Sequence, residues 1–299
     1  MTDCVIWSYD VRAGPSPAAL ICWLLLIQEE RTVKPTTPHL DAVAALLIAV
    51  AASACTSAPT DEWISLFNGR DLTGWTPKIT GSDLGEDPWQ TFRVEDGLLT
   101  VSYENYDGFN GHFGHLFFKE SFSHYQLRVE YRFVGNQLPD GPTWAFKNSG
   151  VMFHAQSPES MLRDQNFPIS LEAQLLGGNG VDERPTANLC TPGTHVEMNG
   201  ALVEDHCITA SAPTIHGEEW VTLDLLVLGD SLIAHIMGDD TVLVYSKPVI
   251  GGDAVNDFDE AVKQDGQRLT GGYIALQSES HPIQFRQVLL KNLAAEPTR

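Results

Sequence analysis

Period-two alternation of apolar and polar residues is the feature that most limits how this chain can fold. In residues 125–133, aromatic and aliphatic side chains point one way, and charged or amide side chains point the other. A strand with one wet face is typical of antiparallel sheets. Similar segments recur, as in residues 220–228 and 231–237, which flank the turn pair Gly229-Asp230. We therefore predict an all-β chain, an antiparallel β-sandwich or jelly roll, with one short helix-like stretch at 257–264.

The composition excludes several classes of protein. Hydrophobic residues make up 43% and charged residues 19%, which rules out a disordered chain and a multi-span membrane protein. The formal net charge is −21, and we find no local basic patch. Because such a chain repels phosphate backbones, we expect no nucleic-acid partner.

The first 55 residues read as a targeting region. The apolar run 18–27 is too short to span a membrane. A second run, 43–54, has the length of a signal-peptide core and ends in small residues at Cys55. Residues 52–55 (Ala-Ser-Ala-Cys) resemble a bacterial lipobox, in which Cys55 would be lipidated.

Residues 1–55 are therefore interpreted as a start assigned too far upstream, followed by a signal peptide with a lipobox, and 56–61 as a tether. Cleavage without lipid and a genuine N-terminal anchor helix are the alternatives. We expect an exported protein, a periplasmic or cell-envelope lipoprotein that touches the membrane only through its lipid anchor.

The five cysteines divide between this leader and the rest of the chain. Cys4, Cys22 and Cys55 fall in the leader, which leaves Cys190 and Cys207 in the mature part. An even number in an exported protein favours a disulfide. Free buried thiols and a metal site with His195 and His206 are the alternatives, although the spacing fits no zinc ribbon.

Four predicted strands carry polar side chains on one face only. These side chains are Asn148, His154 and Gln156; Glu172 and Gln174; His195, Glu197 and Asn199; and Gln277, Glu279 and His281. If the strands are neighbours, the polar faces form one wall of amides, imidazoles and carboxylates. Such groups bind sugar hydroxyls, and aromatic rings stack on sugar C–H faces. Trp144 and Tyr273 are the candidates for stacking.

A polar strand face is more commonly just solvated. Glu172 and Gln174 fit that explanation poorly, because they lie in the apolar segment 168–176, where an unpaired carboxylate is costly to bury. His154 fits a hydrogen-bonded structural histidine equally well. We interpret His206, His216 and His235 as structural or surface residues, and the signal from His112 and His115 in a Gly-rich loop is weak.

Several motifs together resemble those of a known family. They are LFNGRDLTGW (66–75), FRVEDGLLTV (92–101), NSGVMFH (148–154), LEAQLLG (171–177), GEEWVTLDLLVLGD (217–230) and GGYIALQSESHPIQFRQVLLKNL (271–293). The combination resembles the 3-keto-disaccharide hydrolase family, which is similar in fold to concanavalin A-like lectins and glucanases. The resemblance covers about residues 62–294. It departs at residues 286–288, Arg-Gln-Val, where the family commonly has Arg-Asn-Ile.

The resemblance implies cleavage of glycosides that carry a ketone at C3 of the sugar. The ketone acidifies the C2 hydrogen, so that a base forms an enolate, the glycosidic oxygen leaves by β-elimination, and water adds back. Glu172 is expected as the base or a metal ligand, and His154 as an acid, base or ligand. No cofactor is certain, although a divalent cation could hold the enolate. The substrate-binding candidates are Asn148, Gln174, Gln277, Glu279, Trp144 and His195.

Two other functions remain open at the level of sequence. A two-carboxylate glycosidase would need a second acid from another strand, such as Glu279 or Glu197, because Gln174 cannot act as nucleophile or acid. A non-catalytic carbohydrate-binding module would need stacking aromatics and amides but no titrating group.

Overall fold

The computed structural model describes residues 62–294 as β-strands, two short 3-10 helices and connecting loops. The predicted targeting region 1–55 with Cys55, and the predicted tether 56–61, lie outside the described residues. The 3-10 helices are Thr143–Ala145 and Pro158–Ser160. The helix-like stretch predicted at 257–264 consists of turns, so that prediction is wrong. None of the helices in residues 62–294 has the length and apolar character needed to cross a membrane.

Seventeen strands make up the described part of the chain. In chain order they are β1 (Ile64–Ser65), β2 (Trp75–Ile79), β3 (Phe92–Glu95), β4 (Leu98–Val101), β5 (Gly114–Phe122), β6 (His124–Phe133), β7 (Asn148–Ala155), β8 (Leu171–Leu176), β9 (Asn188–Cys190), β10 (Thr194–Met198), β11 (Ala201–Val203), β12 (Cys207–Ile208), β13 (Val221–Leu228), β14 (Leu232–Met237), β15 (Asp240–Ile250), β16 (Gly272–Ser278) and β17 (Ile283–Asn292).

The strands form two antiparallel sheets. The large sheet has ten strands in the order β11-β10-β15-β14-β13-β6-β17-β4-β3, with β1 added to β17. The site sheet has seven strands in the order β12-β9-β8-β7-β16-β5-β2. Neighbouring strands such as β7 and β16 are far apart in sequence, which is why the sheet can bring distant segments together.

The core lies between the two sheets and follows the predicted alternation. In β6, every second residue from Tyr125 to Phe133 is buried, while the residues between them are partly exposed. The same pattern holds in β13, which pairs with β14 across the turn predicted at Gly229. Full burial of an aliphatic or aromatic side chain contributes roughly 1.5–3 kcal/mol relative to exposure. The predicted all-β antiparallel sandwich is confirmed.

The middle of the site sheet is buried on both faces. Val151, Ala173 and Leu276 point into the core between the sheets. All eight residues of β7 are buried, so its second face is covered as well. Loops lie over this second face, and the polar residues of the sequence analysis therefore sit under cover instead of on open surface.

Candidate functional site

Five neighbouring strands of the site sheet place the side chains of their second face in two rows. From β9 across to β5, the first row contains Cys190, Glu172, Met152, Ala275 and Phe117. The second row contains Asn188, Gln174, Gly150, Gln277 and His115. Gln277 takes its place opposite Gly150 because the preceding residue, Leu276, pairs with Val151. The sheet thus brings together polar groups from four segments of the chain.

Glu172 lies over Gly150. A Cβ atom built on Gly150 would meet Glu172 Oε1 at 2.4 Å and its Cδ at 2.7 Å. The carboxyl therefore reaches from β8 across β7, toward the second row and Gln277. Any side chain at residue 150 would block that position, which accounts for a glycine in the middle of a buried strand.

A cavity of about 410 Å³ opens above this carboxyl. Its lining combines two carboxyls, two amides, aromatic rings and a disulfide: Trp144, Asn148, Phe167, Glu172, Gln174, Cys190, Pro192, His206, Cys207, Ala254 and Glu279. A concave site with a few convergent polar groups among apolar ones is typical of ligand-binding pockets. We call this volume the Glu172 cavity.

Two buried carboxyls face the Glu172 cavity and influence each other. Glu172 is 6% exposed and Glu279 is 3% exposed. Burial raises the pKa of Glu172 well above its usual range. Burial also raises the pKa of Glu279 strongly, and repulsion by the charge of Glu172 raises it further. Because two neighbouring carboxylates cannot easily both ionise, the pair holds a proton near neutral pH.

Several buried polar groups around this pair have no hydrogen-bond partner within residues 62–294. They are both ring nitrogens of His115, both side-chain polar atoms of Gln277, Asn148 Oδ1 and Glu279 Oε2. Burial, with repulsion from Lys78, lowers the pKa of His115 to about 3, so its imidazole is neutral at physiological pH. Buried polar groups are normally satisfied, and this concentration of unsatisfied ones indicates a functional site.

Aromatic rings form one side of the cavity. Trp144 is 52% exposed and stacks on Phe113, with ring centroids 6.0 Å apart and planes 9° from parallel. Phe113 in turn contacts Phe167, with the two ring centroids 4.8 Å apart. An exposed tryptophan face held rigid from behind is suited to the C–H face of a sugar ring or to an aromatic group.

The predicted disulfide between Cys190 and Cys207 is confirmed. The two cysteines pair across β9 and β12, and Cys190 is the register partner of Glu172 on the other side. In residues 62–294, the side chains close enough together to hold a metal ion are Cys190, His206 and Cys207. Since the two sulfurs are bonded to each other, this group is not a metal site in the oxidised protein.

His154 lies apart from Glu172, contrary to the prediction that they act together. Its φ of +47° interrupts the alternation of β7, and the β7 residue that pairs with Glu172 is Met152. His154 Nε2 donates to the carbonyl of Gly229 at 3.0 Å, in the turn between β13 and β14 of the large sheet. Burial lowers the pKa of this imidazole. The assignment of His154 as a catalytic or metal-binding partner of Glu172 is therefore wrong: its buried imidazole bonds Gly229 through Nε2, and its Nδ1 has no hydrogen-bond partner within residues 62–294.

His195 is also placed outside the Glu172 cavity. It lies on β10, which belongs to the large sheet, and its ring packs over Gly251 and Gly252. The expectation that it binds substrate beside Glu172 is corrected accordingly. Glu197, on the same strand, forms an ion pair with Lys247 at 2.6 Å, so it does not supply a second carboxyl to the cavity.

The other predicted site residues converge. Asn148, Gln174, Glu279 and Trp144 line the Glu172 cavity. Gln277 is fully buried in the second row, two strands away from Glu172. Gln174 accepts a hydrogen bond from Asn188 Nδ2 at 3.0 Å, which fixes its amide.

Sequence reasoning missed the contributions of Gly150, Phe167, Pro192 and His206. Phe167 and Pro192 lie in loops, where no periodic pattern marks a residue as facing a site. Gly150 stands in the NSG motif, but its role depends on the neighbouring strand. The described surface has another depression of about 480 Å³, lined by residues of 180–185 and 212–216; its acidic groups Asp182 and Glu183 are exposed, as on ordinary solvated surface.

A β-sandwich with a carboxyl pair in a cavity beside a rigid aromatic wall has the features of a carbohydrate-active protein. The family model of the 3-keto-alpha-glucoside-1,2-lyase-like domain matches residues 62–291. The chain belongs to this family, which confirms the resemblance found in its motifs and makes it a glycoside-acting protein. No curated protein sequence matches the chain.

The chain is also similar to several solved structures, at low sequence identity and low TM-score. Two proteins from Parabacteroides distasonis, provisionally assigned as glycosyl hydrolases, are 17% and 20% identical, with TM-scores of 0.46 and 0.45. Each match covers 78% of this chain, with 100% of the first protein and 94% of the second. The carbohydrate-binding module CBM66 from Bacillus subtilis is 14% identical with a TM-score of 0.40, covering 73% of this chain and 96% of the module.

Proposed function

We propose that this protein cleaves 3-keto-glycosides by base-assisted elimination followed by hydration. The observation that carries the proposal is the buried carboxyl of Glu172, which lies over Gly150 in a cavity that it shares with Glu279. The family match supports the choice of a ketone-bearing glycoside as substrate.

The two carboxyls divide the acid and base roles. Burial raises the pKa of both carboxyls, and we assign Glu172, which lies over Gly150, as the base and Glu279 as the acid. Glu172 carboxylate removes the C2 proton, and the electron pair of the C–H bond moves into the enolate. The enolate then forms the C1–C2 double bond, the C1–O bond breaks, and protonated Glu279 gives its proton to the leaving oxygen.

Hydration completes the reaction. Water adds its oxygen to C1 of the unsaturated ketone and gives a proton to the Glu279 carboxylate, while Glu172 returns its proton to C2. Both carboxyls are then restored, and the net change is hydrolysis. During elimination the enolate oxygen carries negative charge. The amide N–H groups of Asn148 and Gln174, which line the cavity, are assigned to donate to it.

The test is incubation of the mature protein with a 3-keto-glucoside and with the parent glucoside, each with and without a chelator. We expect turnover of the ketone only, and almost complete loss of turnover in Glu172→Gln. Binding of the substrate to Glu172→Gln, measured by calorimetry, should persist because the amide keeps the shape of the site. Cleavage of the parent glucoside would contradict the proposal, as would unchanged turnover in the variant.

Folding of the Glu172→Gln variant is the internal control. A buried carboxyl with a raised pKa stabilises the folded protein only while it is protonated. The free energy of unfolding therefore falls as the pH rises from the pKa of the unfolded chain, about 4.3, through the raised pKa of the folded protein. The amide of the Glu172→Gln variant does not titrate, so the variant does not lose stability in this way. The variant should therefore melt no lower than the wild type at pH 8, and a large drop in melting temperature would mean that lost activity reflects unfolding.

A two-carboxylate glycosidase is the second candidate, because Glu279 enters the same cavity as Glu172. It predicts cleavage of the parent glucoside without a ketone and a covalent or inverting displacement at C1. A carbohydrate-binding module predicts sugar binding with no turnover of either substrate. The same incubation therefore separates all three functions.

A further inference from the structure

Glu279 lies just beyond the end of β16, where the hydrogen-bond ladder of the sheet no longer fixes the backbone. The next residue, Ser280, has a φ of +88°, in a region that favours glycine. Residues held in such conformations persist only where their surroundings enforce them, and they concentrate at functional sites.

All three polar groups of Ser280 are held, each by a different residue. Its N–H donates to Tyr103 Oη at 2.7 Å, its carbonyl accepts from Leu138 N–H at 3.0 Å, and its Oγ accepts from Gln137 Nε2 at 2.9 Å. Ser280 is fully buried. We call this arrangement the Ser280 clamp.

The loop of residues 137–142 leaves room for Ser280 and is bonded to it. A Cβ atom on Gly141 would meet Ser280 Oγ at 2.5 Å, so a glycine is needed there. Gln137 Nε2 also donates to the carbonyl of Pro142, two residues before Trp144. The clamp therefore ties the backbone beside Glu279 to the loop that carries the exposed tryptophan.

We propose that the Ser280 clamp, through Tyr103 in particular, is a positioning device that turns Glu279 toward the leaving oxygen of the substrate. Tyr103 Oη accepts the N–H of Ser280, the residue next to Glu279, so its phenol holds the backbone beside that carboxyl. This inference rests on the proposed function, since it assigns Tyr103 and Ser280 to the delivery of the proton in that reaction.

The experiment compares Tyr103→Phe with Tyr106→Phe. Both change a buried phenol to phenyl in the same loop, and the two rings contact each other at 5.1 Å, but Tyr106 Oη bonds Thr91 and not Ser280. Each variant is assayed with two 3-keto-glucosides, one with a methanol and one with a 4-nitrophenol leaving group. Nitrophenolate departs without a proton, whereas methanol requires one.

We expect Tyr103→Phe to lose at least about tenfold in kcat with the methyl substrate, which is part of the roughly 10²–10⁴-fold that a general acid contributes. It should keep its kcat with the nitrophenyl substrate. Glu279→Gln should show the same selectivity, and Tyr106→Phe should lose neither activity. Equal loss with both substrates, or equal behaviour of the two tyrosine variants, would overturn the inference.

Ser280→Gly provides a second variant, which leaves Tyr103 and its bond to the residue 280 N–H in place. Glycine accepts the left-handed φ without strain but lacks the Oγ contact to Gln137. It keeps the backbone bonds to Tyr103 and Leu138, so we expect a loss of kcat that is restricted to the methyl substrate and smaller than that of Tyr103→Phe. The absence of such a loss would count against the clamp. If the wild type cleaves neither substrate, the proposed function is wrong, and the inference falls with it.

Discussion

The carboxyl of Glu172 occupies the space that a side chain at residue 150 would need. The shared geometry makes the two residues interdependent: a long acidic side chain on β8 reaches its position only because β7 has no side chain there. Burial raises the pKa of the Glu172 carboxyl. A base that removes a proton from carbon needs such a raised pKa.

Gly150→Ala should therefore abolish most turnover by displacing the Glu172 carboxyl. The matched control is Gly251→Ala, whose Cβ would meet the ring of His195 at the same 2.4 Å, outside the Glu172 cavity. Overpacking costs typically about 1–3 kcal/mol in either place, so the free energies of unfolding, measured in urea, should fall by similar amounts. Turnover per folded molecule should fall only in Gly150→Ala. Equal activity in the two variants would show that the position of Glu172 does not matter.

At the scale of strands, the disulfide joins β12 to β9, and β9 supports the strand that carries Glu172. The strand β12 has only two residues and lies at the edge of the site sheet, so little else holds it there. The bond therefore contributes to the wall of the cavity as well as to stability.

Replacing both Cys190 and Cys207 with alanine should lower the free energy of unfolding by about 3 kcal/mol, as expected for a cross-link between residues 17 apart. Substrate affinity should also fall, because His206 and Pro192 flank the two cysteines in the cavity wall. Urea denaturation and a KM measurement test the two effects. A reductant should destabilise the wild type by the same amount and leave the double variant unchanged; a reductant-sensitive variant would contradict the assignment.

The sequence pattern predicted the strands themselves. It did not predict where the alternation within a strand is interrupted or which strands are neighbours. Alternation in β6 and β13 identified the buried face because one side of the large sheet stays wet. In β7 every residue is buried, and the positive φ at His154 moved that side chain off the face that alternation assigned to it. The prediction for His195 was wrong for another reason. Pairing between distant segments decides the sheet to which a strand belongs, and a local sequence pattern does not contain that information.

For the molecule as a whole, charge and site are consistent with each other. The full chain carries a net charge of −21, and the carboxyls of its site resist ionisation. Such a field disfavours anionic ligands and favours neutral ones, as a neutral keto-glycoside would be. The same negative charge repels phosphate backbones, which is why we expect no nucleic-acid partner.

The whole chain is expected to be exported, cleaved before Cys55 and anchored by lipid at that residue. The disulfide supports this proposal, because such bonds persist in oxidising compartments and are rare in the cytosol. In the native host, labelled palmitate should be incorporated into the wild type and into Cys22→Ser, a matched leader variant, but not into Cys55→Ser. Mass spectrometry should find residue 55 at the N-terminus. Cleavage near residue 55 without label would mean export without an anchor. Recovery of a full-length cytosolic chain with Cys190 and Cys207 reduced would contradict export altogether.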